Sequence, residues 1–169
     1  AQELPDFVER SFPAMAAREG RCIGGLSMGG YGAFRTALAH PDRYVSATSH
    51  SGAVLLGHTA PRRDTFDARE LRQVFGTHPR GSAHDLVALA QRAKASGRVP
   101  ALRFDCGTGD FLLADNRALH RELIRAGVPH EYEEFPGEHS WDYWDARVQE
   151  ALRFHCRALG MQTAECVRA

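Results

Sequence analysis

The 169-residue chain predicts an α/β fold, a parallel sheet with flanking helices. Two observations carry that expectation. Short apolar runs alternate with helical patterns along most of the chain, which is the signature of βαβ units. One of those runs passes through a glycine-rich turn straight into an Ala-rich helix, at residues 22–38.

In chain order, residues 4–17 predict a helix that opens after Pro5. A strand at 21–25 leads through the glycine turn into a helix ending at His40-Pro41, and a second strand covers 44–49. Residues 57–99 are polar, Arg-rich and without strand pattern, and predict a helical, lid-like insertion above the sheet. Two short helices fit inside it, one capped by Asp67 with Glu70 and one by Ser82 with Asp85. A third strand at 101–106 ends in Gly107-Thr108-Gly109-Asp110. The next helix, 115–126, has Asp115 as its N-cap and stops at Gly127, with Pro129 beyond. A fourth strand at 130–135 ends in Pro136-Gly137-Glu138-His139. The last helix carries Trp141, Trp144, Val148, Leu152 and Leu159 at helical spacing, with Asp142 in its first turn.

Bulk properties narrow the function. Formal charge is zero, and the charges are dispersed, with Lys94 the only lysine. No basic stripe of the kind phosphate backbones select is present, so a nucleic-acid partner is not expected. No run approaches the roughly 18 apolar residues of a membrane span, so a soluble domain is expected. Cys22, Cys106, Cys156 and Cys166 fit no zinc framework. They are expected to be reduced, which favours a cytoplasmic location. The nine histidines are scattered without H-E-x-x-H spacing, so no metal and no organic cofactor is expected.

Chemistry enters at Gly25-Leu26-Ser27-Met28-Gly29. This G-x-S-x-G pattern is a nucleophile elbow, in which a serine stands on a strained strand-to-helix turn with its hydroxyl exposed. Glycines on both sides are expected to let strand and helix approach closely. A serine hydroxyl needs a base to take its proton and a carboxylate to orient that base. Asp110 and His139 follow the third and fourth strands, beyond the carboxyl ends where parallel sheets place their sites. Asp105 lies inside its strand and reads as structural. His50 is the rival base, but it precedes the acid, against the Ser–acid–His order of such elbows, and is assigned to the pocket rim.

Four blocks together resemble the esterase D-like branch of the α/β-hydrolases: residues 25–33, Ser49-His50-Ser51-Gly52, residues 105–110, and residues 137–144 with tryptophans just after His139. That branch includes tributyrin-type carboxylesterases, S-formylglutathione hydrolase, feruloyl and acetylxylan esterases and mycolyltransferases. The tryptophans look more like the tributyrin and feruloyl side. The resemblance implies a serine carboxylesterase for short-chain acyl esters, with Ser27, Asp110 and His139 catalytic and the Met28 amide as an oxyanion donor. His50, Trp141 and Trp144 would shape the pocket, although both tryptophans also suit packing of the last helix. A carbohydrate-directed esterase, an acyltransferase, or an inactive half-domain used for assembly are the alternatives.

Family members also carry further strands ahead of the elbow, including the loop with the second oxyanion amide. The resemblance therefore implies the C-terminal portion of one hydrolase domain, with the elbow strand left at an open edge. A complementing N-terminal segment or a homodimer mate is the expected partner, beside a small-molecule ester.

Overall fold

The computed structural model describes residues 2–58 and 68–161. Among them, six helices surround four strands in the order α1 (Glu3–Ser11), β1 (Cys22–Leu26), α2 (Ser27–Ala39), β2 (Ser46–His50), α3 (Ala68–Phe75), α4 (Leu86–Ala95), β3 (Ala101–Gly107), α5 (Leu113–Arg125), β4 (Glu131–Phe135) and α6 (Trp141–Ala158). The sheet is wholly parallel and runs β1-β2-β3-β4. A parallel pair cannot be joined by a tight hairpin, so each strand is followed by helical crossover structure. The expected α/β parallel sheet is therefore present, with boundaries shifted by a residue or two.

Three local readings are corrected. The first helix ends at Ser11, because Phe12 precedes Pro13 and adopts extended backbone at φ −134° and ψ 155°; proline disfavours helical geometry in the residue before it. Asp115 is not an N-cap. It sits within the first turn of α5, whose cap position is Leu112. Asp85, not Ser82, caps α4, accepting from the amides of Val87 and Ala88 and satisfying donors that the first helical turn leaves unpaired. The Asp67 cap lies outside the described residues.

The core lies on one face of the sheet, where α2 packs on β1 and β2, α5 packs on β3, and α4 packs against both helices, through Phe34, Leu86, Leu102, Phe104, Leu119 and Leu123. Phe34 and Phe104 meet edge to face, with centroids 5.8 Å apart. The opposite face, under α6, is polar: Ser46 and Thr48 bond His155, and Arg103 and Tyr143 bond Asp105. Buried polar groups need such partners, because each one left alone costs a desolvation penalty of about 1–3 kcal/mol.

The expected stripe of α6 does share one side of the helix, but of Trp141, Trp144, Val148 and Leu152 only Trp144 is buried. Tyr143, Trp144, Ala151 and Phe154 are the residues α6 buries, while Trp141, Val148 and Leu152 are exposed. Amphipathic side chains such as Tyr143 suit a polar sheet face; a purely aliphatic stripe would leave Asp105 short of a donor.

The sheet's two edges differ. β4 carries Glu131, Glu133 and Glu134, charges of the kind that discourage strand addition. β1 ends the sheet on the other side, and no described residue pairs with its outer edge. Cys22 and Cys106 are free thiols, but Cys156 is disulfide-bonded, which corrects the expectation that all four cysteines are reduced.

Candidate active site

Register brings the strand ends level. Leu26 pairs with His50, His50 with Asp105, and Gly107 with Phe135. The loops that follow these strands therefore open on one edge of the sheet, the carboxyl edge. Ser27 comes directly after β1, Asp110 three residues after β3, and His139 four residues after β4.

Ser27 has φ +53°, a left-handed conformation that non-glycine residues rarely hold. Strain of that kind costs about 1–3 kcal/mol and persists only where surrounding structure over-determines it. Here the Ser27 carbonyl accepts the Ala53 amide at 3.0 Å, and the turn is packed from below. A Cβ on Gly25 would collide with the Gly29 carbonyl, and one on Gly30 with the Ser49 hydroxyl. Gly29, by contrast, faces open space. The close approach therefore depends on Gly25 and Gly30, and the expectation of a steric role for Gly29 is corrected.

The Asp110 and His139 loops are tied together by backbone. Gly109 donates to the Gly137 carbonyl at 2.8 Å, and Thr108 donates to the Phe135 carbonyl at 2.8 Å. Asp110 has a side chain with no solvent exposure. Its Oδ1 accepts the Leu112 amide at 2.8 Å, and its Oδ2 lies 2.9 Å from His139 Nδ1. On the far side of the imidazole, Nε2 lies 3.0 Å from Ser27 Oγ. The structure thus brings Ser27, His139 and Asp110 into one continuous hydrogen-bonded chain. Such a chain can withdraw the serine proton, hold the imidazole in the needed tautomer, and stabilise the imidazolium that forms. Met28 follows in the first turn of α2, where amides lack intrahelical acceptors and the helix dipole favours negative charge.

His50 is buried. Its Nδ1 lies 2.8 Å from Asp105 Oδ2 without hydrogen-bond alignment, so it stands behind the Ser–His–Asp chain and does not join it. Asp105 is fully buried and also accepts from Arg103 Nη1 at 2.9 Å and from the Tyr143 hydroxyl at 2.8 Å. Trp144 is buried with its ring 4.9 Å from that of His139, and it meets Trp141 edge to face at 5.3 Å. Trp141 is 73% exposed. His50, both tryptophans, Gly25 and Leu26 line a groove of about 470 Å³ that runs beside β1 under α6. At its floor, His155 has its pKa depressed to about 4, first by burial and then by the neighbouring His50.

One neighbour of the site was not anticipated. Phe111 follows Asp110, and its ring centre lies 4.6 Å from that of His139. The available signal was a large aromatic residue inside an otherwise small and polar turn. Among the described residues, no group of three or more His, Cys, Asp or Glu side chains could hold a metal ion.

Known proteins share this chain's family and fold. The Esterase family model matches residues 1–155. An acetyl esterase of Caldicellulosiruptor saccharolyticus is 35% identical over 160 residues, spanning 90% of this chain and 60% of that protein. An S-formylglutathione hydrolase from Staphylococcus aureus superposes with a TM-score of 0.75 at 30% identity, covering 93% of this chain and 61% of its own. A ferulic acid esterase superposes with a TM-score of 0.74 at 28% identity, covering 93% and 58%. Likeness to the hydrolase and to the ferulic acid esterase is thus nearly equal. The chain spans about 60% of the acetyl esterase's length.

Proposed function

The chain belongs to the Esterase family, and from that premise we propose that it is a serine carboxylesterase acting on short-chain acyl esters. The observation that carries this reading is the unbroken contact from Ser27 Oγ to His139 Nε2 at 3.0 Å and from His139 Nδ1 to Asp110 Oδ2 at 2.9 Å.

In the proposed reaction, His139 Nε2 takes the Ser27 proton as Oγ attacks the ester carbonyl. The oxyanion of the tetrahedral intermediate is held by the Met28 amide. The carbon–oxygen bond to the alcohol then breaks, and His139 returns the proton from Nε2 to the leaving oxygen. Water attacks the acyl-Ser27 ester, with His139 again as base, and releases the acid and the free serine. Asp110 stays ionised throughout and keeps the second proton on Nδ1. This cycle consumes one water and needs no cofactor.

The apolar groove that begins at Leu26 and Trp141 suits the acyl chain, with His50 and Trp144 in its wall. Within the 57–99 segment α4 belongs to the core, through Leu86, Val87, Leu89, Ala90 and Ala93, so only the part ahead of it is read as a cover over the site. The open edge of β1 suits a complementing segment that adds a strand and supplies a second oxyanion amide, with a homodimer mate as the other candidate. Loss of one such amide lowers rates by about 10²–10³. We read the chain accordingly as the C-terminal portion of one hydrolase domain, with a small-molecule ester as substrate.

Intact-mass spectrometry after fluorophosphonate treatment tests the reading, with Ser27→Ala as control. A single adduct that disappears in the variant is expected. A folded chain that takes no adduct, alone or within a longer polypeptide carrying it, would overturn the proposal.

A further inference from the structure

Phe111 stands in the short turn between β3 and α5, 57% exposed, between two residues that are almost wholly buried, Asp110 and Leu112. The turn is held on both sides of it. Asp110 donates its amide to the Gly107 carbonyl at 3.1 Å, Leu113 donates to the Asp110 carbonyl at 3.1 Å, and Leu112 donates to Asp110 Oδ1 at 2.8 Å. A large apolar ring is therefore presented to solvent from a pinned backbone, with its centre 4.6 Å from the His139 ring and tilted 47° to it.

The open edge of the sheet does not account for this exposure. The exposed apolar residues of α6, Trp141, Val148 and Leu152, line the groove beside β1. Phe111 lies beyond β3, two strands further in, roughly 10 Å away at the usual strand spacing. A segment added to β1 would lie on the side away from β2, and so still further from Phe111.

The chemistry of the proposed reaction says what meets Phe111 instead. The proton that His139 takes from Ser27 must return to the leaving oxygen from Nε2, so that oxygen sits within hydrogen-bond reach of the imidazole. The alcohol portion of the ester consequently departs alongside His139. The exposed ring that touches His139 is within its reach.

Resting on the esterase reading above, we propose that Phe111 is a specificity-determining residue that receives the alcohol portion and favours alcohols with a flat, apolar ring. An aromatic face gains most from a partner that can lie offset or edge-on against it at centroid separations of about 4.5–7 Å. A methyl alcohol offers no such surface. The acyl portion is unaffected, because it extends from the carbonyl carbon in the other direction, stays bonded to Ser27 and makes its contacts in the groove.

The test compares phenyl acetate with methyl acetate, which share an acyl group, on the wild type, F111A, F111L and F111Y. Dividing each variant's ratio of kcat/KM for the two esters by the wild type's ratio cancels the intrinsic reactivity of phenol as a leaving group. F111A and F111L are expected to lower that ratio about tenfold, mainly through KM for the phenyl ester, and F111Y to preserve it. Labelling by a fluorophosphonate, whose leaving group is fluoride, reports Ser27 and His139 without any alcohol and should stay within about twofold of wild type. An unchanged ester ratio in F111A would overturn the proposal. So would parallel loss of labelling and of both esters, which would mean that Phe111 only positions His139. A wild type that hydrolyses neither ester and takes no label would overturn the esterase reading itself, and this inference with it.

Discussion

Asp110→Asn isolates the orienting role of the buried carboxylate with little change of shape. Asp110 accepts two hydrogen bonds, from the Leu112 amide at Oδ1 and from His139 at Oδ2. An amide has one accepting oxygen and one donating nitrogen. Placing the nitrogen toward Leu112 would set two donors face to face in a site without solvent, so the oxygen must take the Leu112 bond. The nitrogen then faces His139 Nδ1 and forces it to accept. Its proton moves to Nε2, which faces Ser27 Oγ at 3.0 Å, and the nitrogen that should take the serine proton already carries one. Loss of the correct tautomer in a Ser–His–Asp arrangement costs about 10⁴ in kcat, or roughly 5.5 kcal/mol of transition-state stabilisation. The assay is steady-state hydrolysis of 4-nitrophenyl acetate at pH 7–8, with fluorophosphonate labelling alongside and a thermal melt to confirm folding. Both rates should fall by three orders of magnitude or more while the melt changes little. A folded variant that keeps more than a tenth of wild-type activity would refute the assignment of Asp110.

Two further outcomes follow from the same packing. Gly25→Ala should destabilise by about 2–3 kcal/mol or more, as overpacking against backbone does, because its Cβ meets the Gly29 carbonyl; Gly29→Ala, facing open space, should be neutral or slightly stabilising by helix propensity. Urea melts of the two variants would separate them, and equal losses would contradict the geometry of the turn. The second outcome concerns pH. His155 titrates near 4 in the fold, mainly because burial disfavours its charged form, and near 6.5 when unfolded. The unfolded chain therefore binds more protons between these values, so His155's contribution is complete above about pH 6.5 and is lost as pH falls toward 4. The loss is on the order of 2–3 kcal/mol, allowing for partial solvent screening. Comparing urea stability of wild type and His155→Gln at pH 7 and pH 4 isolates it, and parallel pH profiles would rule it out.

Much of this was legible in the sequence because it is local. The period of apolar residues marked each strand and helix, and the elbow could be read because a strained serine between glycines has few other uses. Asp110 and His139 were legible for a topological reason: in a parallel sheet, every loop that follows a strand opens on the same edge, so position after a strand predicts proximity. Pro13 held a local signal as well, and the helix that was extended through it is stopped by its effect on Phe12.

What the tertiary structure alone decided concerns which surfaces meet. Helical spacing shows that α6 has an apolar stripe, but Trp141, Val148 and Leu152 lie on the groove side, and Tyr143, Ala151 and Phe154 are buried. The choice rests on the polar sheet face beneath, set by Ser46, Thr48, Arg103 and Asp105 from two different strands, and no window of sequence contains both strands. Gly30 rather than Gly29 is pressed by Ser49, nineteen residues away in the chain, and Phe111 gained significance only when β4 brought His139 beside it. Sequence determines the elements and the chemical groups they carry; contact between distant groups is set by how the layers stack, because burial is a property of pairs of surfaces and not of either one alone.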